Sequence, residues 1–167
     1  MSEQTDVTEQ EIAAAKVPHD IFLSNLIMNH ILLFTAIAAF GGEYISFLIL
    51  VPIFSLIALI VTFYRASRVK RQESEFVYVH WQIARRWSVL FSGVLALLVT
   101  VSFLGWWGQH SGIMMKEMTY ALIGGLGLLP TLMSVLVLVI IESDSLHHAR
   151  EGKYPKGAEA RFLGDGK

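Results

Sequence analysis

Four long apolar runs dominate this sequence and constrain most strongly what the chain can fold into. They occupy residues 21–40, 44–64, 87–107 and 119–141. An α-helix of roughly 20 residues crosses a hydrocarbon core of about 30 Å. The runs lack the alternation of apolar and polar side chains that a membrane β-barrel needs. The sequence therefore predicts an all-α membrane protein with four transmembrane helices, arranged as two antiparallel hairpins.

The composition agrees with a membrane protein and divides the chain into three parts. Only 16% of the residues are charged, whereas soluble domains have about 25%. A soluble bundle would also need polar faces on the four apolar runs, and these have almost none. We expect an N-terminal segment (1–20), a transmembrane domain (21–141) with a central loop (65–86), and a polar tail (142–167).

The positive charges predict the orientation of the chain. Of 13 Lys and Arg residues, all but Lys116 lie in the N-terminal segment, the central loop or the tail. By the positive-inside rule, these parts face the cytoplasm. The loop supplies the candidate membrane-surface residues Arg65, Arg68, Lys70, Arg71, Arg85 and Arg86. The first 20 residues are acidic, so we expect no cleavable signal peptide. A multi-pass inner (plasma) membrane protein with both termini in the cytoplasm is predicted.

Two shorter elements are predicted outside the membrane, and the tail is not expected to form a third. The Thr8-x-x-Glu11 spacing fits a capping box that opens a brief helix, which Pro18 would end. Before the third span, apolar residues recur at helical spacing, at Phe76, Val79 and Ile83. They predict an amphipathic helix that lies along the cytoplasmic surface and runs into that span. The polar tail is predicted to be mostly mobile.

Small residues recur at helical spacing in the third and fourth spans. Helices in lipid associate through close packing of such residues. The candidate helix-packing residues are Ser88, Ser92, Ala96, Thr100, Ala121 and Gly125. These stripes suit either the interior of the bundle or a surface for another subunit, and the sequence leaves both interpretations open.

Asn25, Asn29 and His30 are the polar candidates inside the membrane. His30 lies about 13 Å beyond the start of the first span, close to the midplane. Ionisable residues at that depth are costly and usually face the protein interior. The two asparagines are only about 40° apart around the helix, and His30 lies at the border of their face. We expect them to contact a partner subunit or to form interhelical hydrogen bonds, with Ser55, Thr62, Ser92 or Thr100 as candidates.

Signatures of a self-contained enzyme are missing from the sequence. It has no G-x-S-x-G, Walker or H-E-x-x-H motif, no paired carboxylates within a span and no cysteine. We assign no catalytic residue, metal site or cofactor. The leading hypothesis is a non-enzymatic accessory, anchoring or assembly subunit of a larger membrane complex. Its partners would be the lipid bilayer and another membrane subunit or a second copy of itself, with no nucleic acid.

Two hypotheses from other classes stay open. A small oligomeric transporter or channel would use His30 as its proton-sensitive group. An electron-transfer anchor would bind a quinone or a b-type haem, and a haem held by two histidines needs a second histidine at the depth of His30. His19, His80 and His110 lie outside the apolar runs. A haem held by one histidine, or by a second chain, remains an alternative.

Overall fold

The computed structural model describes residues 7–164, and this part of the chain is helical with no strand. Four helices are long and apolar enough to cross a membrane. They are α1 (Glu9–Phe40), α2 (Gly42–Arg68), α3 (Glu75–His110) and α4 (Lys116–Arg150). A short helix, α5 (Ala158–Phe162), follows in the tail. The prediction of an all-α protein with four apolar spans is confirmed.

The outward surface of the four helices is strongly apolar. Leu56, Val99 and Ile140 are 59%, 58% and 72% exposed, and many other Leu, Ile and Phe side chains are similarly exposed. Water would penalise an apolar surface of this extent, whereas lipid tails are as apolar as leucine. This distribution agrees with contact with a lipid bilayer.

The core lies between all four helices and is built from large apolar side chains. Its buried members are Phe22, Leu26, Leu59, Phe91, Val135 and Leu138. The turn between α1 and α2 is made by Gly41 and Gly42, with φ values of 56° and 52°. Only glycine adopts such positive φ values without strain, so these two residues permit the abrupt reversal.

The predicted capping box is present, but α1 does not end at Pro18. Thr8 accepts a hydrogen bond from the backbone N–H of Glu11, and the Glu11 side chain accepts one from the N–H of Thr8. Pro18 lies inside the continuous helix and is buried. A proline inside a helix costs about 3 kcal/mol. The packing of α1 against α3 and α4 outweighs that cost.

The predicted surface helix is not a separate element, because residues 75–86 form the first three turns of α3. At about 1.5 Å per residue, the 36 residues of α3 form a helix longer than a hydrocarbon core is thick. Phe76, Val79 and Ile83 are buried against other parts of the protein. The expectation that these side chains lie on the membrane surface was therefore wrong.

The prediction of a mobile tail was wrong for the residues up to 164. Helix α4 continues to Arg150, and Tyr154, Ala158 and Phe162 then pack against the start of α3. Burial, reinforced by the nearby carboxylates of Glu75, Glu159 and Glu11, raises the pKa of the Tyr154 phenol. This phenol is therefore neutral at physiological pH.

The predicted packing stripe is used only in part. Ser88 is fully buried and Ser92 is half-buried, but the other four candidates are exposed, namely Ala96, Thr100, Ala121 and Gly125. Gly127 makes the close contact between α4 and α3, because a Cβ atom there would lie 2.9 Å from Cδ1 of Leu98. Of the two interpretations that the sequence left open, the interior of the bundle fits Ser88, whereas the exposed four lie on outward-facing sides of their helices.

All six candidate surface residues of the central loop are exposed, at the ends of α2 and α3 and in the loop between them. Two of them contact other helices or the tail. Arg71 donates hydrogen bonds to Glu75 and to the carbonyl oxygen of Leu163, and Arg65 lies over the ring of Trp81 at 6.0 Å. The basic segment therefore also contacts the start of α3 and the tail.

Candidate functional site

The two asparagines predicted inside the membrane are buried between α1 and α2. Nδ2 of Asn25 donates to the Ser55 hydroxyl at 3.1 Å, and Nδ2 of Asn29 donates to the Val51 carbonyl oxygen at 2.8 Å. Asn29 also donates to Oδ1 of Asn25 at 3.2 Å. Both asparagines thus form interhelical hydrogen bonds, with Ser55 as a partner. The other candidate partners, Thr62, Ser92 and Thr100, each donate to a carbonyl of their own helix.

His30 is buried and is held by its own helix. Its Nδ1 lies 3.1 Å from the carbonyl oxygen of Asn25, and its ring meets the edge of Phe91 with 4.9 Å between centroids. Residues Asn25–Leu33 form π-helical turns, which are wider than α-helical turns. A carbonyl oxygen only accepts, so Nδ1 is the donor. Nε2 has no partner among the described residues.

An open groove of about 650 Å³ lies beside the asparagines, between α1 and α2. Its walls combine the exposed apolar side chains of Met28 and Phe54 with the polar residues Asp20, Ser24 and Asn29. Oδ1 of Asn29 is buried at the wall and accepts no hydrogen bond within residues 7–164. We refer to this feature as the α1–α2 groove.

Three other ionisable side chains form a hydrogen-bonded row where α1, α3 and α4 meet. Nδ1 of His19 lies 2.5 Å from Oε2 of Glu142, and Nε2 of His19 lies 2.9 Å from Nδ1 of His80. Nε2 of His80 lies 3.3 Å from the carbonyl oxygen of Lys153. All three side chains are 0% exposed. We call this row the Glu–His–His chain.

The partners fix how many protons the Glu–His–His chain holds. The Lys153 carbonyl oxygen only accepts, so Nε2 of His80 donates. One further proton must lie between Glu142 and His19, and another between His19 and His80, because two acceptors would repel. With these three protons the chain has no net charge.

The same protons can be arranged in more than one way. All three groups can be neutral, or the proton between Glu142 and His19 can lie on His19 while Glu142 is ionised. A proton can therefore move from Glu142 towards His80 without displacement of the heavy atoms. Such exchange through an imidazole, which has a nitrogen on each side, is what a proton relay requires.

The Glu–His–His chain was not predicted from the sequence, because none of its members lies within an apolar run. His19 precedes the first run, Glu142 follows the fourth, and His80 precedes the third. A usable signal was present in the helical spacing. His19 lies three residues before the core residue Phe22, and Glu142 lies four residues after Leu138, so both continue buried stripes.

The Glu–His–His chain does not have the geometry of a metal or haem site. Within residues 7–164, no group of three or more His, Asp or Glu side chains is placed to hold a metal ion. The partners of His19 lie at opposite sides of its ring, so the three side chains do not converge on one point. The direct contact between His19 and His80 leaves no space for an iron between them, as two axial haem ligands would require.

Comparison of the chain with known protein families, with curated proteins and with solved structures gives no match. The features that bear on function are the α1–α2 groove, the Glu–His–His chain and the outward-facing surfaces of the helices.

Proposed function

We propose that the protein is a non-enzymatic accessory subunit that anchors or assembles a larger membrane complex, with a transmembrane helix of a partner in the α1–α2 groove. The observation that carries this proposal is the polar wall of the groove. Ser24 is exposed there, and Oδ1 of Asn29 accepts no hydrogen bond within the described residues. A buried acceptor without a partner costs about 1–3 kcal/mol.

Lipid tails offer no donor to such a wall, whereas a neighbouring helix can. Hydrogen bonds between side chains of adjacent helices are a recurrent means of association in membranes. A Ser, Thr, Asn or Gln of the partner could bond the Ser24 hydroxyl and reach Asn29 after a small rotation of its amide. Met28 and Phe54, both exposed beside this wall, would contribute apolar contact area.

The small residues that face outward support the same proposal. A Cβ atom at Gly93 or Gly125 would have no heavy atom within 4 Å, and Ala96 and Thr100 are exposed on the same helix as Gly93. Small residues let two helix backbones approach closely. These positions offer a second surface for a partner subunit or a second copy of this chain.

The finer topology is part of the proposal. The four spans would form two antiparallel hairpins in a bacterial inner membrane or an equivalent one, with both termini and the central loop in the cytoplasm. The distribution of Lys and Arg supports this orientation.

The partner is tested by photo-crosslinking in native membranes. A photo-reactive amino acid replaces Met28 in the groove, and we expect one crosslinked species with a membrane protein. Ala58→Trp fills the groove and should abolish this crosslink and the co-purification of the same partner in mild detergent. Leu56→Trp, on the opposite face of α2, is the matched control and should preserve both.

Two results would contradict the subunit proposal. One is a homogeneous preparation from native membranes with no stoichiometric partner. The other is a crosslink at position 28 that survives Ala58→Trp unchanged, because the groove would then not be the contact surface.

The Glu–His–His chain favours a second candidate function, a small proton-linked transporter or channel. In this version the proton-sensitive groups are His19, His80 and Glu142, and His30 has no part in transfer. The support is that these three groups share protons in a continuous row, whereas His30 bonds only the backbone of its own helix.

Liposome flux separates the two candidates. If the protein moves protons, acid-loaded liposomes should dissipate their gradient, Glu142→Gln should stop this flux, and His30→Ala should leave it unchanged. If the wild-type protein leaves the gradient intact, the transporter candidate is excluded. If His30→Ala stops the flux, the assignment of proton transfer to the Glu–His–His chain is wrong.

A further inference from the structure

A second cavity, of about 650 Å³, lies between the start of α3, the end of α4 and the tail. It is separate from the α1–α2 groove, because the two share no lining residue. Neither proposed function uses it. We call it the tail cavity.

The rim of the tail cavity is basic. Arg86, Lys156 and Arg161 line it, and none of these side chains has a carboxylate within 4.0 Å in the described part of the chain. One carboxylate, Asp144, also lines the cavity and lies 3.5 Å from Nδ1 of His148. The balance of three fixed cations to one carboxylate suits an anionic ligand.

The floor of the tail cavity is apolar. Trp87 and Ile141 lie in it, at the ends of the third and fourth apolar runs, together with Ile140. Ile140 is 72% exposed and faces away from the protein core. The charged part of the lining therefore comes from the polar segments next to the spans, and the apolar part comes from the ends of the spans themselves.

The wall formed by the tail is held in place by specific contacts. Tyr154 packs against Phe76 with 5.5 Å between ring centroids, and Ala158 is buried against Val79 and Ile83. The end of the tail is fixed by the hydrogen bond from Arg71 to the Leu163 carbonyl oxygen. Lys156 and Arg161 are thus carried by an anchored segment.

On α3, the guanidinium of Arg86 lies 5.3 Å from the centre of the Trp87 ring. This cation–π contact holds the charge at the level where the apolar run begins. Arg86 on α3 and the two cations of the tail, Lys156 and Arg161, thus lie on two sides of the cavity above its apolar floor.

We propose that the tail cavity binds one anionic phospholipid, with the phosphate between Arg86, Lys156 and Arg161 and an acyl chain along Ile140 and Trp87. A free phosphate would use only the rim. The apolar floor at the membrane boundary favours a lipid. Because the packed tail holds Lys156 and Arg161 at the same cavity as Arg86, the three cations form one site and not a diffuse basic surface.

The test is native mass spectrometry of the delipidated, detergent-purified full-length chain, titrated with dioleoyl-phosphatidylglycerol. We expect one saturable lipid to bind before any other. A Lys or Arg near a membrane surface contributes about fivefold in affinity for an anionic lipid. The triple variant Arg86→Gln, Lys156→Gln and Arg161→Gln should therefore weaken this first binding by on the order of 100-fold.

The matched control removes three exposed cations elsewhere at the same end of the bundle, with Arg65→Gln, Arg68→Gln and Lys70→Gln. It should change the affinity less than about threefold, since these residues do not line the cavity. Equal losses in both triple variants would overturn the proposal, because charge alone would then explain binding. Unfolding curves of both variants check that they are folded before their affinities are compared.

Two further measurements distinguish binding of a phospholipid from binding of free phosphate. Dioleoyl-phosphatidylcholine, with the same acyl chains, should not bind at saturable stoichiometry, and inorganic phosphate at millimolar concentration should not displace phosphatidylglycerol. Equal binding of the two lipids would contradict a site for anions. Full displacement by inorganic phosphate would show an anion site without a lipid role.

Discussion

Glu142 is fully buried, and the only partner of its carboxyl group within residues 7–164 is His19. Burying a carboxyl group and two imidazoles is favourable only when their polar atoms are bonded to one another. The row from Glu142 to the Lys153 carbonyl bonds the polar atoms of the three side chains with three protons and no net charge, except Oε1 of Glu142, which has no partner within residues 7–164. The protein thus stabilises ionisable side chains at the end of the bundle by sharing protons between them.

This proton count predicts different effects of two substitutions at Glu142. In Glu142→Gln, the amide N–H₂ can donate to Nδ1 of His19, so every bond of the row is kept and stability should stay close to wild type. In Glu142→Leu, that nitrogen loses its partner, and the free energy of unfolding should fall by about 1–3 kcal/mol. Denaturant titration in mild detergent measures both values. An equally large loss in Glu142→Gln would show that the row needs an ionised carboxylate.

A second residue-level prediction concerns two glycines of α4 that are two positions apart. A Cβ atom at Gly127 would lie 2.9 Å from Cδ1 of Leu98, whereas one at Gly125 would have open space around it. Gly127→Ala should therefore be less stable than Gly125→Ala by about 1 kcal/mol, since the Leu98 side chain must shift within the packed contact of α3 and α4.

Gly125→Ala is the matched control for that substitution. It should be neutral, or stabilising by up to about 1 kcal/mol, because alanine favours the helix. Thermal unfolding of the two variants gives the comparison. If Gly127→Ala is at least as stable as Gly125→Ala, α3 and α4 are not in close contact at Gly127.

At the scale of elements, the starts of α1 and α3 are joined by one side chain. Glu11 accepts from the N–H and hydroxyl of Thr8 through Oε2, and from the hydroxyl of Ser74 through Oε1. Ser74 in turn caps α3, because its Oγ accepts from the N–H of Val77. One carboxylate therefore supports the first turns of two helices that are far apart in sequence.

This connection predicts that Glu11→Ala loosens the first turns of both α1 and α3, whereas Thr8→Ala loosens only that of α1. Loss of a capping residue costs about 0.5–2 kcal/mol. Thr8→Ala should increase amide hydrogen exchange only in the first turn of α1, whereas Glu11→Ala should also increase it in residues 75–79. Exchange measured by mass spectrometry on peptides from both regions tests this. Unchanged exchange at the start of α3 in Glu11→Ala would exclude the link.

The elements that could be predicted from the sequence are those whose signal is local. Four apolar runs and the Thr8–Glu11 spacing each depend on neighbouring residues, so they were found without tertiary information. The ends of the helices were not predicted correctly, because tertiary packing extends α1 through Pro18 and makes residues 75–86 part of α3. The tail was missed because Tyr154, Ala158 and Phe162 are few among many polar residues.

The candidate site shows the same limit. Asn25, Asn29 and His30 were found because polar side chains are conspicuous within an apolar run, and Ser55 was among the partners considered. His19 lies 61 residues from His80 and 123 from Glu142, so only the packed bundle brings them together. Which small residues face inward also depends on helix rotation, and Ala96, Thr100, Ala121 and Gly125 face outward.

At the scale of the whole molecule, the start of α1, the start of α3 and the end of α4 pack together through Ala15, Phe76 and Ala149. The groups near this contact include most of the Lys and Arg residues, whereas Lys116 is the only one beyond the opposite ends of the spans. The field across the membrane and the insertion machinery retain clustered positive charge on the cytoplasmic side. This distribution supports the proposed orientation, in which both termini and the central loop face the cytoplasm.

Cysteine labelling tests that orientation directly, because the chain has no cysteine of its own. Glu43→Cys and Ser111→Cys lie in exposed turns at one end, and Glu73→Cys and Glu159→Cys lie in exposed positions at the other. A membrane-impermeant maleimide added to intact cells with a permeabilised outer layer should label the first pair alone. All four should react after the inner membrane is opened. Labelling of Glu73→Cys or Glu159→Cys in sealed cells would reverse the orientation and place the tail cavity in the outer leaflet.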